Sequence, residues 1–98
     1  MEKHHYRVTL EELNAATPEN PARQLQFDFG NHDDVFVILE RLGQRSDLAA
    51  QEIPVLVLGL KLFGKVLMDN KENELFSAFK PHFVEFMKTL KKSTPAKA

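Results

Sequence analysis

The sequence predicts an α+β fold, a two-stranded antiparallel ribbon followed by three helices in the order β-β-α-α-α, and three observations carry that prediction. Apolar and polar side chains alternate in two short runs before residue 30. The apolar period lengthens to that of a helix after residue 34. Between the two regimes lies a polar junction, Gly30-Asn31-His32-Asp33-Asp34.

In the first run, Tyr6-Arg7-Val8-Thr9-Leu10, side chains on a strand point alternately to opposite faces, so Tyr6, Val8 and Leu10 share one. Asn14 to Ala22 then gathers Asn14, Thr17, Pro18, Asn20 and Pro21, residues that favour turns through side-chain capping or a fixed φ. A second alternation, Leu25-Gln26-Phe27-Asp28-Phe29, places Leu25, Phe27 and Phe29 together. An isolated two-stranded ribbon is marginal in water, so its apolar face calls for a helical layer.

Val35, Ile38, Leu39 and Leu42 recur at helical spacing, which predicts a first helix over 33–42, with Gly43 where a left-handed C-terminal cap would fall. Ser46 to Glu52 is a polar connector with room for one helical turn. Pro54 suits the start of a second helix running to Asp69, because its missing N–H costs little there. Around that helix, Lys61, Lys65 and Asp69 form one narrow stripe and nearly everything else is apolar or glycine. The expectation is a helix buried on most sides, either between neighbours or against a second subunit, with Gly59 and Gly64 permitting close approach. After the turn Asp69-Asn70-Lys71-Glu72-Asn73, Leu75, Phe76, Phe79, Phe83, Phe86, Met87 and Leu90 keep one helical phase straight through Pro81. That phase fits one helix kinked at Pro81 or two helices in register. The whole reads as a single domain over 1–92 with a frayed tail over 93–98.

Composition narrows the function. With 98 residues, 43% of them hydrophobic, the chain has material for one core and none of the signature of disorder. The absence of cysteine removes disulfides, thiolate metal sites and a thiol nucleophile, and fits a reducing, cytoplasmic setting. Met1 to Tyr6 has neither the apolar stretch nor the cleavage site of a secretory signal. Ile53 to Met68 is too short and too interrupted by lysine to anchor in a membrane. Residues 1–52 hold five Lys/Arg against ten Asp/Glu, and residues 53–98 hold eight Lys against four. A total of −1 argues against a nucleic-acid partner.

The candidate functional cluster is Asn31, His32, Asp33 and Asp34, with His82 joining through the fold. Carboxylate and imidazole together can bind a divalent ion or relay a proton. The competing account is a helix start: Asn and Asp accept hydrogen bonds from free N–H groups of a first turn, and acidic residues there complement the dipole. That account explains Asn31, Asp33 and Asp34 and leaves His32 over. No histidine pair has the i, i+4 spacing of a helical zinc pair, and His82 projects to the edge of the Phe face, where an amphipathic side chain is at home. Ser46, Ser77 and Ser93 lack a nucleophile-elbow motif. The Gly64-Lys65 step lies inside an apolar helix and not after a strand, so it is no phosphate loop. No catalytic residue, cofactor or metal is assigned.

Taken together, His5-Tyr6-Arg7, Phe29-Gly30-Asn31-His32-Asp33-Asp34, Gly59-Leu60-Lys61-Leu62-Phe63-Gly64 and Phe86-Met87-Lys88-Thr89-Leu90-Lys91 resemble a small bacterial family known only as a domain of unknown function. The resemblance spans nearly the whole chain. It implies a free-standing domain of this length and carries no catalytic or binding residues with it. The leading expectation is a non-enzymatic interaction module that self-associates as a homodimer. The alternatives are a metal-assisted or His-Asp enzyme at the junction and small-molecule binding in a Phe-lined cleft.

Overall fold

A computed structural model describes residues 3–14 and 17–95. The chain divides into two compact units, residues 1–34 and residues 35–98.

The first unit is a ribbon of β1 (His4–Glu11) and β2 (Gln24–Asn31), paired antiparallel without a bulge from His4↔Asn31 to Glu11↔Gln24. Both strands run beyond the alternating cores that the sequence marks. The register sorts the faces cleanly. Tyr6 opposes Phe29, Val8 opposes Phe27 and Leu10 opposes Leu25, while on the other face Arg7 opposes Asp28 and Thr9 opposes Gln26. Each polar couple is bonded across the strands: Arg7 Nε and Nη2 donate to the two Asp28 oxygens at 2.8 and 3.2 Å, and Gln26 Nε2 donates to Thr9 Oγ1 at 2.9 Å. Beyond the strand ends Arg23 Nη2 meets Glu12 Oε2 at 2.6 Å. On the apolar face the Tyr6 and Phe29 rings lie 5.4 Å apart, and shielding fades along the ribbon, from Phe29 at 7% accessible to Leu10 at 64%.

The second unit holds α1 (Val35–Leu42), a single 3-10 turn (Ala50–Glu52), α2 (Ile53–Asp69), α3 (Glu74–Ser77) and α4 (Lys80–Ser93). Its core is Val35, Leu42, Ile53, Val57, Leu67 and Phe83. Helix α1 packs on α2 through the face that Val35, Ile38, Leu39 and Leu42 define. On the far half of α2, Phe63 gathers the rings of Phe76, Phe79 and Phe83 at 6.2, 5.7 and 5.7 Å.

The Phe-rich segment is two helices, not one. A proline ring clashes with the carbonyl four residues back and has no N–H to give it. Pro81 therefore takes a position in the first turn of α4, and α3 stops at Ser77, the residue its ring would meet. The Phe face continues in phase across the break. Helix α1 starts at Val35 and not Asp33, because Asn31 Oδ1 accepts from Asp33 N at 2.9 Å and holds the junction in a side-chain turn.

Gly43 is not left-handed. The chain leaves α1 through tightening right-handed turns, Gly43 N to Leu39 O at 3.0 Å and then Gln44 N to Arg41 O at 3.1 Å. Helix α2 is less covered than its composition suggests: Ile53, Val57 and Leu67 are buried, but Val55 is 72% accessible and Phe63, Val66 and Met68 are exposed. Its two glycines differ accordingly. A Cβ at Gly64 would sit 3.0 Å from Phe83 Cζ, while one at Gly59 would meet nothing within 4 Å.

Ser93 and Thr94, expected to open a frayed tail, are held to the helical unit. Ser93 closes α4, and Thr94 is 8% accessible, its hydroxyl donating to Leu90 O at 2.6 Å. Arg45 Nη1 donates to Ser93 Oγ and Thr94 Oγ1, both at 2.9 Å, while its other nitrogens hold Asp47. Residues 96–98 lie outside the described residues.

Candidate functional site

The junction residues stay together because they are consecutive at the exit of β2. Asn31 ends the strand half-buried, with its carboxamide turned back onto the Asp33 amide. His32 and Asp33 are exposed on the bend, and Asp34 immediately precedes α1, where a carboxylate faces the positive end of the helix. Asn31 does not cap the helix as expected: its carboxamide accepts from Asp33 N, ahead of α1, and closes a side-chain turn instead. His82 belongs to the helical unit, exposed on α4, its ring 6.3 Å from that of Phe79. It lies at the rim of the Phe cluster, as its helical phase requires. Among the described residues no group of three or more His, Cys, Asp or Glu side chains is placed to hold a metal ion.

A second feature escaped the sequence. His5, Tyr6, Arg7, Asp28, Phe29 and Gly30 line a shallow, open depression of about 400 Å³ on the ribbon. Arg7 and Asp28 sit on its polar side, and each is the other's principal partner. The bidentate bond to Asp28 raises the Arg7 pKa, and the same bond lowers that of Asp28. Both groups are therefore held in their charged forms across the neutral range. A pair tuned apart in this direction exchanges no proton near pH 7 and does not serve as an acid–base couple. Alternation places Arg7 and Asp28 on polar faces, but only the register puts them opposite each other.

The same logic recurs twice. Glu12 is lowered by Arg23, and Asp47 by Arg45, through side-chain hydrogen bonds in each case. Arg45 is the most enclosed of these cations, with 14% of its side chain accessible, and it does structural work at the end of α4. Nothing in the sequence between α1 and the polar connector signals that Arg45 reaches a helix end 48 positions away.

Fold and site thus define a small α+β protein in which an antiparallel ribbon with a paired-charge face precedes a helical unit. The chain belongs to the family described as DUF3861, a domain of unknown function with a solved structure, whose model matches residues 4–92. It is similar to a protein of unknown function from Pectobacterium atrosepticum whose crystal structure is known. The two are 35% identical, the match covers 95% of this chain and 100% of that one, and the TM-score is 0.81. No curated protein matches the chain. Among the described residues no helix is long and apolar enough to cross a membrane.

Proposed function

We propose that this chain is a non-enzymatic protein-interaction module that acts as a homodimer in the reducing setting of the cytoplasm. The observation that carries the reading is apolar surface turned to solvent on both units: Leu10 and Leu25 on the ribbon, Phe36 on α1, Val55 on α2 and Leu75 on α3 are all more than half accessible. Burial of such surface contributes roughly 25 cal/mol per Å², and apolar patches on a small chain mark places where partners bind. A near-balanced charge of −1, split into an acidic half and a basic half, favours association of copies over their repulsion.

Size-exclusion chromatography with light scattering at micromolar concentration tests it. The expected mass is twice 11.2 kDa, and a species of 11.2 kDa alone overturns the homodimer.

The enzymatic alternative at Asn31 to Asp34 has less support, since Asn31 is occupied in holding the turn and the described residues supply no ligand set. Nor does the Phe-lined cleft draw support from the ring cluster, where Phe63, Phe76, Phe79 and Phe83 pack on one another.

A further inference from the structure

We propose that two copies join through the outer edge of β1, antiparallel about a two-fold axis at Val8, to form a four-stranded sheet ordered β2-β1-β1-β2. The inference rests on the self-association proposed above and names its surface and register.

The ladder fixes which backbone groups are available. Glu12 N donates to Arg23 O at 2.9 Å, one step beyond the last strand pair and in the same register. In an antiparallel pair, residues that exchange bonds alternate with residues that do not, so His4, Tyr6, Val8 and Leu10 direct their N–H and C=O groups to β2. His5, Arg7, Thr9 and Glu11 direct theirs outward. Those four are exposed, and among the described residues their backbone groups have no other partner. The edge lacks three of the usual blocks, since β1 has no proline, no bulge and no lysine among its outward residues, and its two outward charges, Arg7 and Glu11, are of opposite sign. The opposite edge differs, since Gly30 on β2 is buried.

Charge and chain length select the register. Centring on Val8 sets His5 against Glu11 of the second copy and Arg7 against Thr9, so all four outward residues exchange bonds. The imidazole N–H of His5 then faces a carboxylate. Centring on Arg7 opposes two guanidinium groups, and centring on Thr9 runs His5 past the end of the partner strand. In the Val8 register the apolar face is continuous: Tyr6 lies opposite Leu10 of the copy and Val8 opposite Val8. The rows Tyr6–Phe29, Val8–Phe27 and Leu10–Leu25 extend across the new seam. A ribbon of two strands, marginal by itself, becomes a sheet of four.

Amide hydrogen exchange of the whole chain over a concentration series reads the edge directly. The expected result is that the amides of His5, Arg7, Thr9 and Glu11 slow about tenfold or more as dimer forms, while those of Gln24, Gln26 and Asp28 do not. Thr9→Pro, which removes an outward N–H that the ribbon itself does not use, should abolish the dimer. Gln26→Pro, its equivalent on the other edge, should not. Glu11→Lys should weaken the dimer roughly tenfold, and adding His5→Glu should restore it. A wild-type chain that stays at 11.2 kDa overturns the self-association and this seam with it. A dimer in which the four amides exchange as freely as in monomer, or which survives Thr9→Pro and Glu11→Lys unchanged, overturns the seam alone. Protection that is independent of concentration would put a segment of the same chain on the edge, and overturns it equally.

Discussion

The ribbon and the helical unit are held by different physics. In the ribbon the strands are pinned by pairs at the surface, Arg7 to Asp28, Thr9 to Gln26 and Glu12 to Arg23, and among the described residues Phe29 is its one buried large apolar side chain. In the helical unit the buried apolar residues come from α1, α2 and α4, and aromatic rings lock on one another. Exposed ion pairs contribute little, whereas a buried Leu or Phe contributes several times more. Substitution should therefore be severe in one region and mild in the other.

Truncating the core is the strongest way to break that contrast. Phe83→Ala should cost about 3–5 kcal/mol, since the ring contacts Phe63, Phe79 and Gly64, and Leu67→Ala about 2–5 kcal/mol, as Leu67 is fully buried. Urea denaturation followed by far-UV circular dichroism measures both. A loss below 1 kcal/mol at either position would mean that the helical unit has no close-packed core.

The two glycines of α2 sharpen the contrast within one helix. Gly64→Ala drives a methyl against a ring already fixed by its neighbours, and overpacking of that kind costs about 1–3 kcal/mol. Gly59→Ala enters open space and should stabilise by about 0.5–1 kcal/mol, because alanine loses less conformational freedom in a helix. Thermal melts of the two variants should move in opposite directions. Two destabilising shifts would place a neighbour over Gly59, and two stabilising shifts would mean that the Phe83 ring yields to the methyl at Gly64.

The smallest effect belongs to the ribbon and depends on pH. Asp28 is lowered by Arg7, so the stability it contributes is present above its unfolded value, about 3.9, and is lost as pH falls through that value and toward the lower folded one. Asp28→Asn should narrow the difference in stability between pH 6 and pH 3 without changing fold. An unchanged pH dependence would show that the pair contributes nothing.

What the sequence made legible follows range. The strand cores, the α1 face and the proline at the start of α2 are local patterns, set by residues two to four positions apart, and they appear where the sequence places them, whereas the bond of Asn31 closes a turn ahead of α1 and not the helix cap expected. The break at Pro81 was half legible. Helical phase alone does not distinguish a kink from a stop, and the structure decides it by ending α3 at Ser77 and starting α4 at Lys80. The fates of Gly59 and Gly64 were not legible, because the deciding atom is a Phe83 ring about twenty positions on. Nor was the exposure of Val55: a period reports which residues share a face, not whether anything lies over it. At the candidate site the acceptor role of the Asn31 side chain could be read and the pairing of Arg7 with Asp28 could not, since register is a property of two strands.

Arg45 sets a threshold for how far the chain can be shortened. Its guanidinium grips Ser93 and Thr94, the last helical residue and the one after it. Removal of residues 96–98 leaves that clasp untouched. Three or four residues further in, the same kind of trimming takes both hydroxyls and leaves a largely enclosed cation with only Asp47. Tolerance to a C-terminal cut thus ends abruptly at Thr94, and a fused tag is best joined after Pro95.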